Sequence, residues 1–332
     1  MSKEKERYSN AFSATLSGIA DLFRKQKNVV TLKEEDLLTG KNVLITGASS
    51  GLGFEASVQL AKRGAKVWMA CRSGIPEKGK MVQNLSGSNQ VEMLPVDLSD
   101  IDSIVKLVNT LKESSVKLDV VICNAAVVPL KSRKTKQGFE EMFMVNYLAT
   151  YLFVRLLIEN DLIHLDGTTI PRIIFVSSES HRNPKEFDWN AFGKYQEYSA
   201  GQSVERYGYN KLLLTTFANE LSNRLNPSDK IRCSVFALCP GPVNTNIARE
   251  APAIFKPLLK LIFKIFFRSP KVAVQPLVYF ACSPEVNGTT NRYLFLMSEK
   301  QVDIKASNRE NGKRLWNLSE ELLQQHGFAF QK

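Results

Sequence analysis

The segment Thr46-Gly47-Ala48-Ser49-Ser50-Gly51-Leu52-Gly53 decides the fold, because it lies between an apolar run and an amphipathic helical pattern. Residues 42–46 favour a β-strand, and residues 52–63 favour a helix. The three glycines allow the backbone to turn tightly, to approach a pyrophosphate and to pack the helix on the sheet, while free N–H groups at the helix start attract the anion. Strand, loop and helix occur in the required order, so the segment predicts a dinucleotide site rather than an ordinary turn.

Beyond this segment, short β-rich runs alternate with longer helical patterns, which is typical of βαβ units and a parallel sheet. The predicted strands are Asn42 to Thr46, Lys66 to Cys71, Val91 to Val96, Asp119 to Asn124, Arg172 to Ser177, Arg232 to Leu238 and Arg292 to Met297. The predicted helices are about 52–63, 101–113, 138–159, 205–225, 270–282 and 308–325. The sequence therefore predicts one α/β, doubly wound domain at residues 39–327, with a seven-stranded parallel sheet, helices on both faces and an extension at residues 1–38.

Composition excludes several other classes of protein. With 44% hydrophobic residues among 332, the chain can bury a substantial core, which excludes intrinsic disorder and fibrous proteins. Five cysteines without CxxC pairing disfavour a disulfide scaffold or a zinc ribbon and fit a reducing compartment. The first 38 residues hold no apolar stretch of signal-peptide or anchor length, so we expect a cytoplasmic rather than a secreted protein. Their weak helical stripe favours a helix packed on the body or a partly ordered tail, with a membrane-surface helix as the alternative.

The formal net charge is +11, and part of it is concentrated in one apolar segment. Within residues 251–268, cations recur every four residues beside nine large apolar side chains; these cations are Lys256, Lys260, Lys264 and Arg268. The pattern predicts a helix that either packs on the core and the substrate or lies in an anionic membrane interface. Nucleic acid is not expected as a partner, because polar residues are missing among these cations.

Three further strand ends predict contacts with the nucleotide. Arg72 follows the second strand, with no acid before Glu77. An acid there would bind the ribose 2′-hydroxyl of NAD, whereas an Arg accommodates the 2′-phosphate of NADP, so the sequence predicts NADP(H); an exposed Arg without a ligand is the alternative. Asp97-Leu98, after the third strand, could supply a carboxylate and a backbone group to the adenine. Asn124-Ala125-Ala126, after the fourth, forms a small-residue turn where ligands lie in such sheets.

Tyr207 and Lys211 are four residues apart, so they share one face of a predicted helix. A cation beside a phenol lowers the pKa of that phenol, which makes Tyr207 a candidate proton donor to a carbonyl or acceptor from an alcohol. The hydroxyl of Ser178, at the end of the fifth strand, could bind the substrate oxygen. Asn146 interrupts an apolar helix and is either a surface or locally bonded amide, or a buried amide that relays protons through water to Lys211. The three histidines are too scattered to bind a metal, and His181 is predicted to be a solvated loop residue.

These motifs resemble those of the short-chain dehydrogenase/reductase family. The matching segments, in order and spacing, are Thr46 to Gly53, Asn124-Ala125-Ala126, Asn146, Ser178, Tyr207 with Lys211, and Pro240-Gly241-Pro242-Val243-Asn244-Thr245. The resemblance covers about residues 40–325 and implies a Rossmann-type fold. It also implies that Asn146, Ser178, Tyr207 and Lys211 form a catalytic tetrad, and that Pro240, Gly241, Val243 and Thr245 border the cofactor, with Thr245 at the nicotinamide carboxamide. The segment at about residues 246–269 is then the substrate lid.

Within this family the sequence is most similar to the retinol dehydrogenases and protochlorophyllide oxidoreductases. The segments that carry this likeness are Met69-Ala70-Cys71-Arg72, Gly138-Phe139-Glu140, Val145-Asn146-Tyr147-Leu148 and Arg314-Leu315-Trp316-Asn317-Leu318-Ser319-Glu320. Ala126 stands where most members have Gly, and Ala149-Thr150 replaces a common Gly-His pair. Neither departure removes a catalytic group, so both bear on the substrate more than on the reaction.

The resemblance implies an NADP(H)-dependent oxidoreductase for a hydrophobic carbonyl or alcohol, such as a retinoid, a steroid or a lipid aldehyde. Tyr207 would handle the proton, Ser178 would polarise the oxygen, and Lys211 would lower the tyrosine pKa and hold the nicotinamide ribose. Asn146 would keep a water relay in place. The alternative is a catalytically silent nucleotide-sensing or membrane-docked interaction protein on the same fold, against which the complete tetrad argues. Tyr209 is a second phenol, but it faces another side of the helix.

Overall fold

A computed structural model describes residues 28–242, 269–328 and 330. The N-terminal stretch 1–27, the predicted contact residues Val243 and Thr245, and the apolar cationic segment 251–268 lie outside the described residues, as does almost all of the predicted lid at 246–269.

The described residues form one eight-stranded sheet in the order β3-β2-β1-β4-β5-β6-β7-β8. The strands are β1 Asn42–Thr46, β2 Lys66–Cys71, β3 Val91–Pro95, β4 Val120–Cys123, β5 Arg172–Val176, β6 Ser234–Cys239, β7 Arg292–Phe295 and β8 Ser298–Lys300. The first seven are parallel, and β7 pairs with β8 in the antiparallel sense. The strand order reverses next to β1, and this reversal leaves a crevice at the carboxyl ends of β1 and β4, where such folds bind ligands.

Helices cover both faces of the sheet. They are α1 Gly51–Lys62, α2 Glu77–Ser86, α3 Ile101–Glu113, α4 Glu141–Glu159, α5 Ala200–Leu225, α6 Pro270–Ala273, α7 Gln275–Cys282, α8 Ile304–Ser307 and α9 Arg309–Gln325. The pleat of β1 divides the core in two, because Leu44 packs on one side of the sheet and Val43 and Ile45 pack on the other. The predicted doubly wound α/β fold is confirmed.

The predicted count of seven parallel strands is wrong by one, since the sheet ends in the short antiparallel strand β8. Its sequence, Ser298-Glu299-Lys300, has no apolar alternation to indicate a strand. An edge strand does not need one: Glu299 of β8 instead pairs with Arg292 of β7, with 2.9 Å between Nη2 and Oε2. The sequence also missed α2, which buries only Gly79 and Val82 and therefore shows almost no apolar period.

Residues 28–38, which the sequence assigned to the extension, lie against the body. The N–H of Val30 donates to the Met297 carbonyl at 2.8 Å, and Arg63 Nη1 of the turn after α1 donates to the Asp36 carbonyl at 2.7 Å. Leu38 is buried in the core on the α1 side. The domain boundary at residue 39 stays a prediction, and these contacts extend the packed chain upstream of it.

One helix in the described part of the chain, Glu141–Glu159, is long and apolar enough to cross a membrane. Within its most apolar window, 83% of the residues are buried inside the fold. Packing against the sheet and the neighbouring helices therefore accounts for the apolar character of this helix.

Candidate active site

The glycine-rich loop after β1 is built for close backbone approach. Gly47 and Gly51 have positive φ angles of 67° and 57°, which side chains other than glycine rarely adopt. A Cβ atom on Gly53 would lie 2.5 Å from both the Gly47 carbonyl oxygen and Asn124 Nδ2. Asn124 Nδ2 also donates to the Thr46 carbonyl at 2.9 Å, so the end of β4 holds the loop in place.

A cavity of about 390 Å³ opens beside this loop at the carboxyl ends of the parallel strands. The structure brings most of the predicted contact residues together on its walls: Gly47, Ser49, Ser50, Gly51, Leu52, Arg72, Asp97, Leu98, Asn124, Ala125, Ser178, Tyr207, Lys211, Pro240 and Gly241. Gly53 and Asn146 do not line the cavity themselves, but each contacts a residue that does. Val243 and Thr245 belong to the chain outside the described residues. Residues spread over 195 positions of sequence thus meet at one sheet edge because parallel strands end there.

Arg72 lies directly after β2 at one end of the cavity, which is called the nucleotide end because the sequence predicts the nucleotide there. Its side chain is 62% exposed, and Nη1 stands 3.7 Å from Asp97 Oδ2. The other oxygen of Asp97 accepts hydrogen bonds from the backbone N–H and the hydroxyl of Ser99. This arrangement fixes the carboxylate and leaves the guanidinium facing solvent, where it is free to pair with an anion.

Ser178 and Tyr207 meet at the other end of the cavity. Ser178 ends the extended chain after β5, and its hydroxyl caps the 3-10 turn Glu179–Arg182 by accepting from the Ser180 N–H at 3.3 Å. Tyr207 lies on α5 and lines the cavity together with Ser178. Desolvation by burial raises the pKa of Tyr207 above its ordinary value and outweighs the lowering effect of the Ser178 hydroxyl.

Lys211 is fully buried one turn after Tyr207 on α5. Its Nζ donates to the Val176 carbonyl at 2.7 Å and stands 5.5 Å from the centre of the Tyr207 ring. Burial lowers the pKa of Lys211 to about 8. The ammonium pairs with a carbonyl, and desolvation is the largest influence on the pKa of both Lys211 and Tyr207, so the effect of Lys211 on the tyrosine pKa stays a prediction.

Asn146 is buried, which excludes the surface amide among the two sequence alternatives. It lies in a π-helical turn, Met144–Leu148, within α4, a type of turn that is frequent at functional sites. Its side chain pairs with the backbone of Val127: the Val127 N–H donates to Oδ1 at 2.8 Å, and Nδ2 donates to the Val127 carbonyl at 2.9 Å. The amide thus fixes a cavity wall, a role that the sequence did not predict.

Sequence reasoning missed two residues near this site. His181 was expected in solvent, but it is completely buried, because its ring bonds to the backbone of Ser178 and of Asp303. Its only signal was its position three residues after Ser178. Cys239, at the end of β6, lines the cavity, and burial raises the pKa of its thiol to about 11. Tyr209 is placed as expected, away from the cavity, with its hydroxyl donating to the Asp188 carbonyl at 3.2 Å.

All five cysteines are buried and free of disulfides. Within residues 28–242 and 269–328, no group of three or more His, Cys, Asp or Glu side chains could hold a metal ion.

The fold, the glycine loop and the Ser178, Tyr207 and Lys211 group define a class of dinucleotide-dependent oxidoreductases. The family description "short chain dehydrogenase" matches residues 41–253, and the chain belongs to that family. It is 32% identical over 301 residues to mouse retinol dehydrogenase 14, covering 86% of this chain and 87% of that one. Retinol dehydrogenases 11, 12 and 13 are similar to it as well. The protein therefore lies on the retinol dehydrogenase branch of the family, as the sequence motifs indicated.

Solved structures of more distant proteins share the fold. An uncharacterised protein from Mycobacterium paratuberculosis is 24% identical, with a TM-score of 0.68 over 92% of this chain and 100% of its own. A protein described as an NAD(P) dependent gluconate 5-dehydrogenase from Beutenbergia cavernae, with bound NADP, is 22% identical, with a TM-score of 0.58 over 79% of this chain and 97% of its own. These likenesses show the fold, and membership of the short chain dehydrogenase family makes the chain an oxidoreductase.

Proposed function

We propose that the protein transfers a hydride between NADP(H) and the carbonyl or alcohol carbon of a hydrophobic substrate of the retinoid, steroid or lipid aldehyde class. The observation that carries this proposal is the meeting of Ser178, Tyr207 and Lys211 in the same cavity as the glycine loop. The Gly53 contacts fit a dinucleotide, because the helix start can approach a pyrophosphate only where no Cβ stands in the way. When bound, the nicotinamide supplies the hydride chemistry.

Residues of the chain bind the substrate oxygen and move the proton. Ser178 and Tyr207 present two hydroxyls to a carbonyl oxygen, and Tyr207 gives up the proton as that oxygen gains negative charge. Burial raises the pKa of Tyr207, so the phenol keeps its proton at neutral pH and gives it up only to the negative charge that develops on the substrate oxygen. Lys211 joins α5 to the end of β5, because its Nζ donates to the Val176 carbonyl. Its ammonium, 5.5 Å from the centre of the Tyr207 ring, would stabilise the phenolate as the proton leaves.

Two observations support the finer parts of the proposal. Arg72 presents an exposed guanidinium at the nucleotide end, which favours the 2′-phosphate of NADP(H) over the 2′-hydroxyl of NAD(H). The apolar residues Val127, Val128, Pro129 and Val145 line part of the same cavity, and the retinol dehydrogenase relatives act on a hydrophobic alcohol by name. A hydrophobic substrate is consistent with both.

The test mixes the purified full-length chain with NADPH or NADH and a panel of apolar aldehydes, retinal included, and follows the absorbance of the reduced cofactor. We expect turnover with NADPH that falls by about 100-fold in Ser178→Ala. Tight NADPH binding without turnover on any substrate would instead favour the catalytically silent sensor, and equal kcat/KM for both cofactors would contradict the NADP(H) preference.

Free thiols at all five cysteines support a reducing, cytoplasmic-side location, either soluble or peripherally bound to membrane. The peripheral contact through residues 251–268 stays a prediction of the sequence. Exchanging all four cations (Lys256, Lys260, Lys264 and Arg268) for Gln should release the protein from anionic liposomes, since each cation contributes on the order of 1 kcal/mol near such a surface. Sedimentation at low salt measures this, and a parent protein that stays in the supernatant refutes the contact.

A further inference from the structure

His181 is the only histidine of the described chain that is buried from solvent on all sides, and both of its ring nitrogens have partners. The N–H of Asp303 donates to Nε2 at 3.1 Å, and Nδ1 stands 2.6 Å from the carbonyl oxygen of Ser178. A backbone N–H can only donate, so Nε2 must be the acceptor and Nδ1 must carry the proton. The ring is therefore a neutral Nδ1–H tautomer that donates to Ser178.

This ring joins two parts of the chain that are 122 residues apart. On one side lies the turn that begins at Ser178; on the other lies Asp303, which caps α8 by accepting from the Lys305 N–H. The ring also packs edge-on against Tyr293 of β7, whose hydroxyl donates to Glu179 at 2.8 Å. The turn after Ser178 is thus held by β7 and by the segment before α9.

The hydroxyl of Ser178 lies in the cavity with Tyr207 and accepts from the Ser180 N–H at 3.3 Å as the cap of the turn. The carbonyl of Ser178 accepts from two groups of His181, the backbone N–H at 3.1 Å and Nδ1 of the ring at 2.6 Å. The bond from the ring is the shorter of the two, and it ties the Ser178 backbone to a side chain that the Asp303 N–H also holds.

We propose that His181 is a positioning residue that sets the orientation of Ser178 and so aims its hydroxyl at Tyr207 and at the substrate oxygen. The inference rests on the proposed function, since it assigns His181 an effect on turnover that acts through Ser178. Misplacement of a reacting group by about 1 Å can cost on the order of 100-fold in rate. The loss of the Ser178 bond should therefore be visible in kcat.

Two conservative substitutions separate the two bonds of the ring. In His181→Asn the amide nitrogen can take the place of Nδ1 and still donate to Ser178, whereas the acceptor for Asp303 is lost. In His181→Gln the amide oxygen can still accept from Asp303, whereas the donor to Ser178 is lost. We expect His181→Gln to lower kcat about 30-fold and His181→Asn to lower it by roughly threefold, with the dissociation constant for NADPH unchanged in both.

A purely structural role predicts the reverse order or equal losses, so either outcome overturns the proposal. His164→Gln serves as the matched control, because His164 is a surface histidine with a 53% exposed side chain. Thermal unfolding of each variant checks that the fold survives.

A double-mutant cycle with Ser178→Ala gives a second test. If His181 acts through the Ser178 hydroxyl, His181→Gln should change the residual rate less than about twofold once that hydroxyl is gone. The same 30-fold loss in both backgrounds would contradict the proposal.

A crystal structure of His181→Gln needs no turnover and separates this inference from the proposed function. We expect the Ser178 carbonyl and hydroxyl to shift by about 1 Å relative to Tyr207. An unmoved Ser178 overturns the positioning role even if the enzyme is active. An inactive parent protein with a displaced Ser178 in the variant would instead refute only the proposed function.

Discussion

The nucleotide end and the catalytic end of the cavity are built from different parts of the polypeptide. At the nucleotide end, backbone atoms of the glycine loop form the surface, and the charged side chains Arg72 and Asp97 stand in solvent. At the proposed catalytic end, the side chains of Ser178, Tyr207 and Lys211 form the surface, and burial changes the proton affinity of the last two. Binding at the nucleotide end thus depends on the space left by glycines that lack a Cβ atom. Chemistry at the catalytic end depends on the electrostatics of side chains that water solvates poorly.

This difference predicts which substitutions damage binding and which damage chemistry. Changes at the catalytic end should lower kcat and leave cofactor affinity nearly intact. Changes at the nucleotide end should alter cofactor affinity or choice and leave the chemical step nearly intact.

The largest effect is expected for Tyr207→Phe, which removes the proton donor and preserves the ring. The rate should fall by about 100-fold or more, since general acid catalysis contributes typically 10²–10⁴-fold. The dissociation constant for NADPH, measured by fluorescence titration, should change by less than about threefold. Activity close to that of the parent would show that another group supplies the proton, and Tyr209→Phe is the matched control because its hydroxyl bonds to Asp188 outside the cavity.

Lys211→Met should abolish turnover. It should also remove the free-energy cost of burying the Lys211 cation in the folded protein. The pKa of Lys211 falls from 10.5 in the unfolded chain to about 8 in the folded one, so the unfolded state binds more protons between these values. The cost of burying the cation is therefore fully present below pH 8 and is relieved as the pH rises toward 10.5. Between pH 7 and pH 10, the free energy of unfolding of the parent should rise by about 2 kcal/mol relative to that of the variant.

Urea unfolding at a series of pH values measures this gain, without cofactor. Lys80→Met, at an exposed lysine of α2, should show a constant difference from the parent over the same range. A constant difference for Lys211→Met as well would mean that Lys211 keeps an ordinary pKa in the fold.

Gly208→Ala tests how closely the two halves of the catalytic end must approach. A Cβ on Gly208 would lie 2.9 Å from the Ser180 carbonyl oxygen, so α5 and the turn after Ser178 must move apart. We expect kcat to fall about tenfold and the free energy of unfolding to fall by about 1–3 kcal/mol. The control is Gly201→Ala on the same helix, where a Cβ meets nothing within 4 Å and should be neutral or stabilising. Equal behaviour of the two variants would show that the close approach is dispensable.

The smallest effect is expected for Arg72→Asp at the nucleotide end. A carboxylate there repels a 2′-phosphate and can accept from a 2′-hydroxyl, so the ratio of kcat/KM for NADPH over NADH should fall about fivefold or more. The effect is limited because Arg72 is largely solvated. Lys80→Gln should leave the ratio unchanged, and an unchanged ratio in Arg72→Asp would assign the phosphate to another residue.

The sequence predicted the sheet best where the strands are buried on both faces. β1 and β2 have the predicted bounds. Strands of a parallel sheet are buried on both faces, so a continuous apolar run marks them clearly. It failed for α2 and β8, which lie at the surface and bury few apolar side chains. The candidate site was predicted in the same way: the glycine loop, Ser178, Tyr207 and Lys211 stand in local patterns that carry their own signal.

The order of elements, the glycine loop and the family membership were thus determined by the sequence, because local spacing and apolar periodicity specify them. The tertiary structure alone decided the proton affinities of Tyr207 and Lys211 and the burial of His181, since desolvation depends on what the rest of the chain packs around a group. It also decided that Asn146 binds the backbone of Val127, 19 residues away along the chain. No local pattern encodes such a contact, because it exists only after the sheet and its helices have assembled.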